Sequence, residues 1–145
     1  MTKSDYMKLA LETSKAALPK CLPNPPVGCV IVCEGQIVSV GHTYPPGIKH
    51  AEVDALGRVP LYANKLQVYV TLEPCSFQGR TPSCALMLAN DSRVTEIYVA
   101  MLDPDPRNSG RGIEILEQAG KSVFVGLEQS AVSNFITPYL IKPNN

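Results

Sequence analysis

Tyr6, Leu9, Ala10, Thr13 and Ala17 recur at helical spacing near the start of the chain. This predicts an amphipathic helix that Ser4 and Asp5 cap and that the proline-rich run from Pro19 to Pro26 ends. Val27 to Cys33 is apolar at nearly every position, the pattern of a strand covered on both faces. Glu34-Gly35-Gln36 then turns the chain into a second strand through Ile37, Val38 and Val40, so a hairpin is expected. After a loop with Pro and Gly from Tyr44 to Lys49, a short helix begins near His50 and carries Val53, Ala55 and Leu56. From there strands and helices alternate: strand Gln67 to Leu72, helix Pro82 to Ala89, strand Val94 to Met101, helix Gly110 to Ala119, strand Ser122 to Val125. Alternation of this kind calls for parallel neighbours joined by crossover helices, here behind an antiparallel opening hairpin. The expected fold is therefore α/β, a mixed five-stranded sheet between helices, in one domain over residues 1–145 with no internal repeat or linker.

Composition narrows the partners. Thirteen basic residues balance thirteen acidic ones, for a formal net charge of zero, and there is no Trp. A nucleic-acid binder normally shows a basic footprint and stacking aromatics, so a small molecule is the expected partner and nucleic acid is disfavoured. No N-terminal signal pattern is present, and no apolar stretch approaches the roughly 18 residues of a membrane span. The expectation is a cytoplasmic protein with no membrane contact.

Five cysteines in irregular spacing suit metal or catalytic use better than a disulfide framework. Three segments carry the candidate chemistry: His50-Ala51-Glu52 at a helix start, Pro74-Cys75 at a strand end and Pro82-Ser83-Cys84 opening a helix. An imidazole and two thiolates leave a tetrahedral zinc one position short, and catalytic zinc sites keep that position for water, whose pKa the ion lowers to about 7. Cys84, in the first turn of its helix, has its thiolate favoured by the helix dipole and free amides. In a regular helix His50 and Glu52 would diverge by about 200°. His50 is therefore placed at the cap, facing the metal, with Glu52 beside it as the proton carrier. Cys21, Cys29 and Cys33 are read as ordinary thiols, Cys29 and Cys33 being packed on a strand face. Arg80, in a glycine-flanked loop beside the metal ligands, suits a phosphate clamp. Glu73 shows no role from its position.

The order His-x-Glu, then Pro-Cys, then Cys matches the zinc-deaminase signature, except that eight residues lie between Cys75 and Cys84. Asn24-Pro25-Pro26-Val27-Gly28-Cys29, His50-Ala51-Glu52-Val53, Thr71-Leu72-Glu73-Pro74-Cys75-Ser76, Gly79-Arg80-Thr81-Pro82-Ser83-Cys84 and Asp103-Pro104-Asp105-Pro106 together resemble the deaminase domain of the bifunctional riboflavin-biosynthesis deaminase/reductase, of the cytidine/deoxycytidylate deaminase superfamily. The resemblance runs from about Tyr6 to Phe135. It implies a cytidine-deaminase-like three-layer α/β/α sandwich, one Zn2+ per chain, and hydrolytic deamination of diaminohydroxyphosphoribosylaminopyrimidine. It also implies substrate contacts at Asn24, His42, Arg80, Asp103 and Asp105, and a homo-oligomer. No reductase domain and no NADPH site are expected. The chain departs from the family pattern at Phe77, where members carry His, at Asp105, where they carry Asn, and in a His42 to His50 segment one residue longer.

Two rival readings stand beside this one. The first is a deaminase of another nucleobase, nucleoside or nucleotide. The second is a non-catalytic zinc-stabilised binding module, against which Glu52 argues, since a structural site has no use for it and would take a fourth protein ligand.

Overall fold

The computed structural model describes residues 1–140. Its helices are α1 (Lys3–Lys15), α2 (Ala51–Leu56), α3 (Cys84–Asn90), α4 (Arg111–Gln118) and α5 (Gln129–Ile136), followed by a 3-10 turn at Thr137–Tyr139. The strands are β1 (Gly28–Cys33), β2 (Gln36–His42), β3 (Leu66–Val70), β4 (Val94–Val99) and β5 (Ser122–Val125). They form one mixed sheet in the order β2-β1-β3-β4-β5. β1 pairs antiparallel with β2 and β3, whereas β3, β4 and β5 run parallel. No helix among the described residues is long and apolar enough to cross a membrane.

The expected elements are present, with corrections at their ends. The cap of α1 lies two residues before the expected Ser4. Thr2 is the N-cap, its hydroxyl accepting from the Asp5 amide while the Asp5 carboxylate accepts from the Thr2 amide. Asp5 thus serves from inside the first turn as the second half of a capping box. Likewise α3 is capped by Ser83, whose hydroxyl accepts from the Leu86 amide, so Pro82 lies outside the helix. The periodicity did not predict α5. It is short and starts from Glu128 in the left-handed region (φ 56) without a side-chain cap, so little local signal announces it. Its buried Val132 and Ile136, packed into the core, hold it in place.

Helices cover both faces. Tyr6 of α1 packs at a tilt against Tyr69 of β3 (centroids 5.2 Å apart, 45°), and Tyr69 stacks on Tyr98 of β4 (4.6 Å), placing α1 on that face. α5 joins α1 there, with Glu128 3.6 Å from Lys8 and Lys15 over the Phe135 ring. α2 lies on the opposite face, where Gly41 of β2 admits it: a Cβ at Gly41 would stand 2.6 Å from the Ala51 carbonyl oxygen. α3 reaches α2 through Cys84 and His50, and α4 packs beside α3. The C-terminal ends of β3 and β4 therefore open on the same edge as the N-terminal ends of α2 and α3. Ligands bind at this edge in open α/β sheets.

Candidate active site

His50 is the N-cap of α2, with extended backbone (φ -85, ψ 170) and no side-chain capping bond, as the divergence argument required. Its imidazole turns to the cysteines instead. Nδ1 stands 3.8 Å from the Cys75 sulfur and 3.4 Å from the Cys84 sulfur. Cys75 arrives from the loop after β3, and Cys84 is the first residue of α3, its amide donating to the Cys75 sulfur at 3.2 Å. All three donor atoms lie within 4.8 Å of one another.

A tetrahedral zinc with ordinary bond lengths would set its nitrogen and sulfur ligands about 3.6 Å apart and its two sulfurs about 3.8 Å apart. The observed imidazole–sulfur distances straddle the first figure. Protonation supports the same conclusion. The Cys84 thiol, donating to the Cys75 sulfur, is the main reason the Cys75 pKa falls to about 4. That same bond, with burial, pushes Cys84 up, and the bond to Cys75 raises His50. Without a cation, then, the cluster ionises one sulfur and holds protons on its other donors, whereas a divalent cation takes over the role of those protons. The donor set fits zinc.

Glu52 sits in the first turn of α2 and is 4% exposed. Burial, followed by the negative charge of Cys75, raises its pKa to about 7, the range in which a carboxyl both takes and gives a proton near neutrality. On the far side of the imidazole, Nε2 lies 3.3 Å from the buried Thr81 hydroxyl. With Nδ1 committed to the metal, Nε2 carries the proton and donates it to Thr81, which holds the ring's tautomer and angle. Thr81→Val is expected to weaken zinc binding about 10- to 100-fold in chelator competition, with Thr81→Ser recovering most of it. Equal affinity in the Val variant would remove Thr81 from this role.

His50, Glu52, Cys75 and Thr81 line a cleft of about 250 Å3, close to the lower end of the roughly 300–1,000 Å3 usual for small-molecule sites. Asn24, Arg80, Asp103 and Asp105 line it too, but His42 does not. Thr43 takes that wall, because neighbouring residues on an extended chain face opposite ways. His42 instead stacks on Tyr44 (centroids 5.4 Å, 12°) with Nδ1 3.2 Å from the Thr43 carbonyl. The two aspartates are committed to their own loop. Asp103 accepts from the Asp105 amide at 3.0 Å and from the Asn108 side chain at 3.3 Å, and Asp105 accepts from the Arg107 guanidinium at 2.6 and 3.1 Å. Arg80 lies over Gly47, where an added Cβ would meet its guanidinium at 3.6 Å.

Glu73, whose place in the chain shows no role, has one in the structure. Its buried carboxylate accepts from the amides of Asp103, Gly110 and Gly112 at 3.0 Å and of Ile113 at 3.3 Å. Two residues before Cys75, it thereby binds the metal strand to the Asp103 loop and the start of α4. Gly112 permits the contact, since a Cβ there would lie 2.1 Å from the Pro74 carbonyl oxygen. Phe77, marked in the sequence as a departure from the family pattern, also lines the cleft, as do Tyr139 and Arg107, which had no signal in the chain pattern.

A mixed five-stranded sheet with one imidazole, two thiols and a buried carboxyl gathered where its strands end and α2 and α3 begin defines the class of zinc-dependent deaminases. The sequence profile described as the cytidine and deoxycytidylate deaminase zinc-binding region matches residues 1–101. The chain belongs to this family. It is 46% identical over 123 residues to the riboflavin biosynthesis protein RibD of Aquifex aeolicus, covering 85% of this chain and 34% of that protein. Among solved structures it resembles form 2 of Acinetobacter baumannii RibD, at TM-score 0.89 and 39% identity, covering 94% of this chain and 38% of that one. It also resembles the diaminohydroxyphosphoribosylaminopyrimidine deaminase/5-amino-6-(5-phosphoribosylamino)uracil reductase of Thermotoga maritima, at TM-score 0.85 and 32% identity, covering 94% and 39%. The chain spans about a third of the length of the curated relatives it matches.

Proposed function

We propose that this chain works as one deaminase domain that hydrolytically removes an amino group from an aminopyrimidine, with diaminohydroxyphosphoribosylaminopyrimidine as its substrate. The observation that carries this reading is the buried carboxyl of Glu52 beside a three-donor zinc set at a small-molecule cleft. The similarity to the Thermotoga maritima enzyme, whose name states that substrate, supports the choice of ring and arm.

In this mechanism His50 Nδ1, Cys75 Sγ and Cys84 Sγ would hold the metal. Zinc bound there would supply Lewis-acid activation of a water for attack on the amino-bearing ring carbon. The Glu52 carboxylate orients that water and takes its proton. It then delivers the proton to the adjacent ring nitrogen as the C–O bond forms. In the second half Glu52 takes the remaining proton from the new hydroxyl and passes it to the leaving amino group, the C–N bond breaks as the oxygen becomes a carbonyl, and ammonia departs. Asn24 offers its carboxamide to the base and Arg80 its guanidinium to the phosphate, while Asp103 and Asp105 shape the wall through Glu73 and Arg107. A cytoplasmic location and a homo-oligomeric assembly belong to the same proposal.

Ammonia release from a panel of aminopyrimidines tests the substrate. Turnover of the phosphoribosylated aminopyrimidine, with cytidine, dCMP and single-stranded oligonucleotides left intact, is expected. Turnover of cytidine or dCMP with none of the phosphoribosylated compound would overturn it.

A further inference from the structure

Arg107 stands at the cleft in an arrangement that differs from an ordinary surface arginine. Its Nε donates to both carboxylate oxygens of Asp105, at 3.1 Å each, and its Nη2 donates at 2.6 Å. Asp105 is itself 5% exposed, and its backbone is fixed by the Asp103 carboxylate, which accepts from the Asp105 amide. On its flat side the guanidinium carbon lies 4.7 Å from the centre of the Phe77 ring. A fork on one edge and an aromatic plane on one face leave the guanidinium little freedom.

The arrangement also settles where the charge faces. Asp105 is buried, and the Arg107 hydrogen bonds hold its carboxyl below the usual carboxylate range, so the anion is turned inward and consumed. The Arg107 side chain is 64% exposed. Its Nη1 edge donates to no group among the described residues, and the cleft it lines contains Arg80 as well. A flexible arginine loses rotamer freedom when it grips an anion, but here that ordering precedes the ligand.

We propose that Arg107 is a specificity-determining residue: positioned by Asp105 and Phe77, it presents its Nη1 edge to an anionic group on the substrate's arm and makes the cleft prefer a phosphorylated substrate to its neutral counterpart. This rests on the aminopyrimidine-deaminase reading above and extends it to a residue that the sequence pattern did not mark. Asp105, which alone would repel a phosphate, works in favour of one because its charge is spent on orienting the cation.

The test compares the zinc-loaded full chain with R107Q and R107K on two substrates, the phosphoribosylated aminopyrimidine and its dephosphorylated riboside. For R107Q the KM of the phosphorylated substrate is expected to rise about tenfold or more, as loss of a charge-assisted pair implies. Its kcat should stay within about twofold, and kinetics on the riboside should not change. R107K keeps the charge without the fork and should fall between. An equal loss on both substrates, or none on either, overturns the proposal. Calorimetric titration with ribose 5-phosphate reads the site without turnover. Binding that R107Q abolishes supports the anion site even if neither aminopyrimidine is turned over, an outcome that would sink the substrate assignment alone. Ribose 5-phosphate binding equal in wild type and R107Q would overturn the role given to Arg107.

Discussion

Glu52→Gln is expected to keep its full complement of zinc and to lose activity by roughly 10²- to 10⁴-fold, the usual worth of a positioned general acid–base. The amide keeps the shape and can still hydrogen-bond a water, but it neither takes a proton nor returns one, so both halves of the reaction stall. The burial that suits Glu52 to this work also has a stability consequence of definite sign. Its folded-state pKa of about 7 lies above the ordinary 4.5, so the folded protein holds this proton more tightly than the unfolded chain does. That contribution is fully present below 4.5 and is lost as pH rises through 7. In zinc-free protein at pH 8, Glu52→Gln should therefore raise the melting temperature, with an upper bound on the order of 3 kcal/mol from the size of the shift. Steady-state kinetics, metal analysis and thermal melts check the three parts. Wild-type turnover in the Gln variant would show that the proton travels by another group.

Cys84→Ser should have the second large effect: zinc falls well below one per chain and activity disappears with it. Serine preserves the volume of this 1% exposed position but replaces a soft thiolate with a hydroxyl that stays protonated, which zinc binds poorly. The Cys75 sulfur also loses the thiol that donates to it. The variant should nevertheless stay folded. The main core of Val30, Ile31, Val68, Val70, Ile97 and Val99 is built without the metal, so zinc adds to stability rather than creating the fold. Chelating the wild type should lower its melting temperature by what ligand linkage gives, about 4 kcal/mol at a free zinc concentration 1,000-fold above Kd, and leave the far-ultraviolet spectrum unchanged. Stoichiometric zinc in purified Cys84→Ser would remove Cys84 from the metal site.

The zinc set was legible in the chain because its information is local. A histidine at a helix start, a cysteine at a strand end and a cysteine at the next helix start can be placed once the elements are placed, and the patterns of Val53, Ala55 and Leu56, of Gln67 to Leu72 and of Pro82 to Ala89 placed them. The substrate wall was less legible. His42 and Thr43 differ by one position on an extended chain, and which of them meets the cleft depends on how the end of β2 lies against the segment before β1. There Thr43 accepts from the Val27 amide at 3.0 Å. The helix α5 and Tyr139 escaped because their support is tertiary: Val132 and Ile136 are buried by the core and no strong cap announces the start.

By itself the amino-acid order determined the five strands, their alternation with helices and the three donors with their adjacent carboxyl, since hydrophobic period, cap chemistry and donor type are properties of short segments. Only the tertiary structure decided which long-range partners those segments meet. Glu73 collects amides some 30 to 40 positions away, and Arg107 joins Asp105 to Phe77 across the cleft wall. Contacts of that kind follow from where the sheet sets the ends of β3 and β4 side by side, a distance in space that no spacing along the chain encodes.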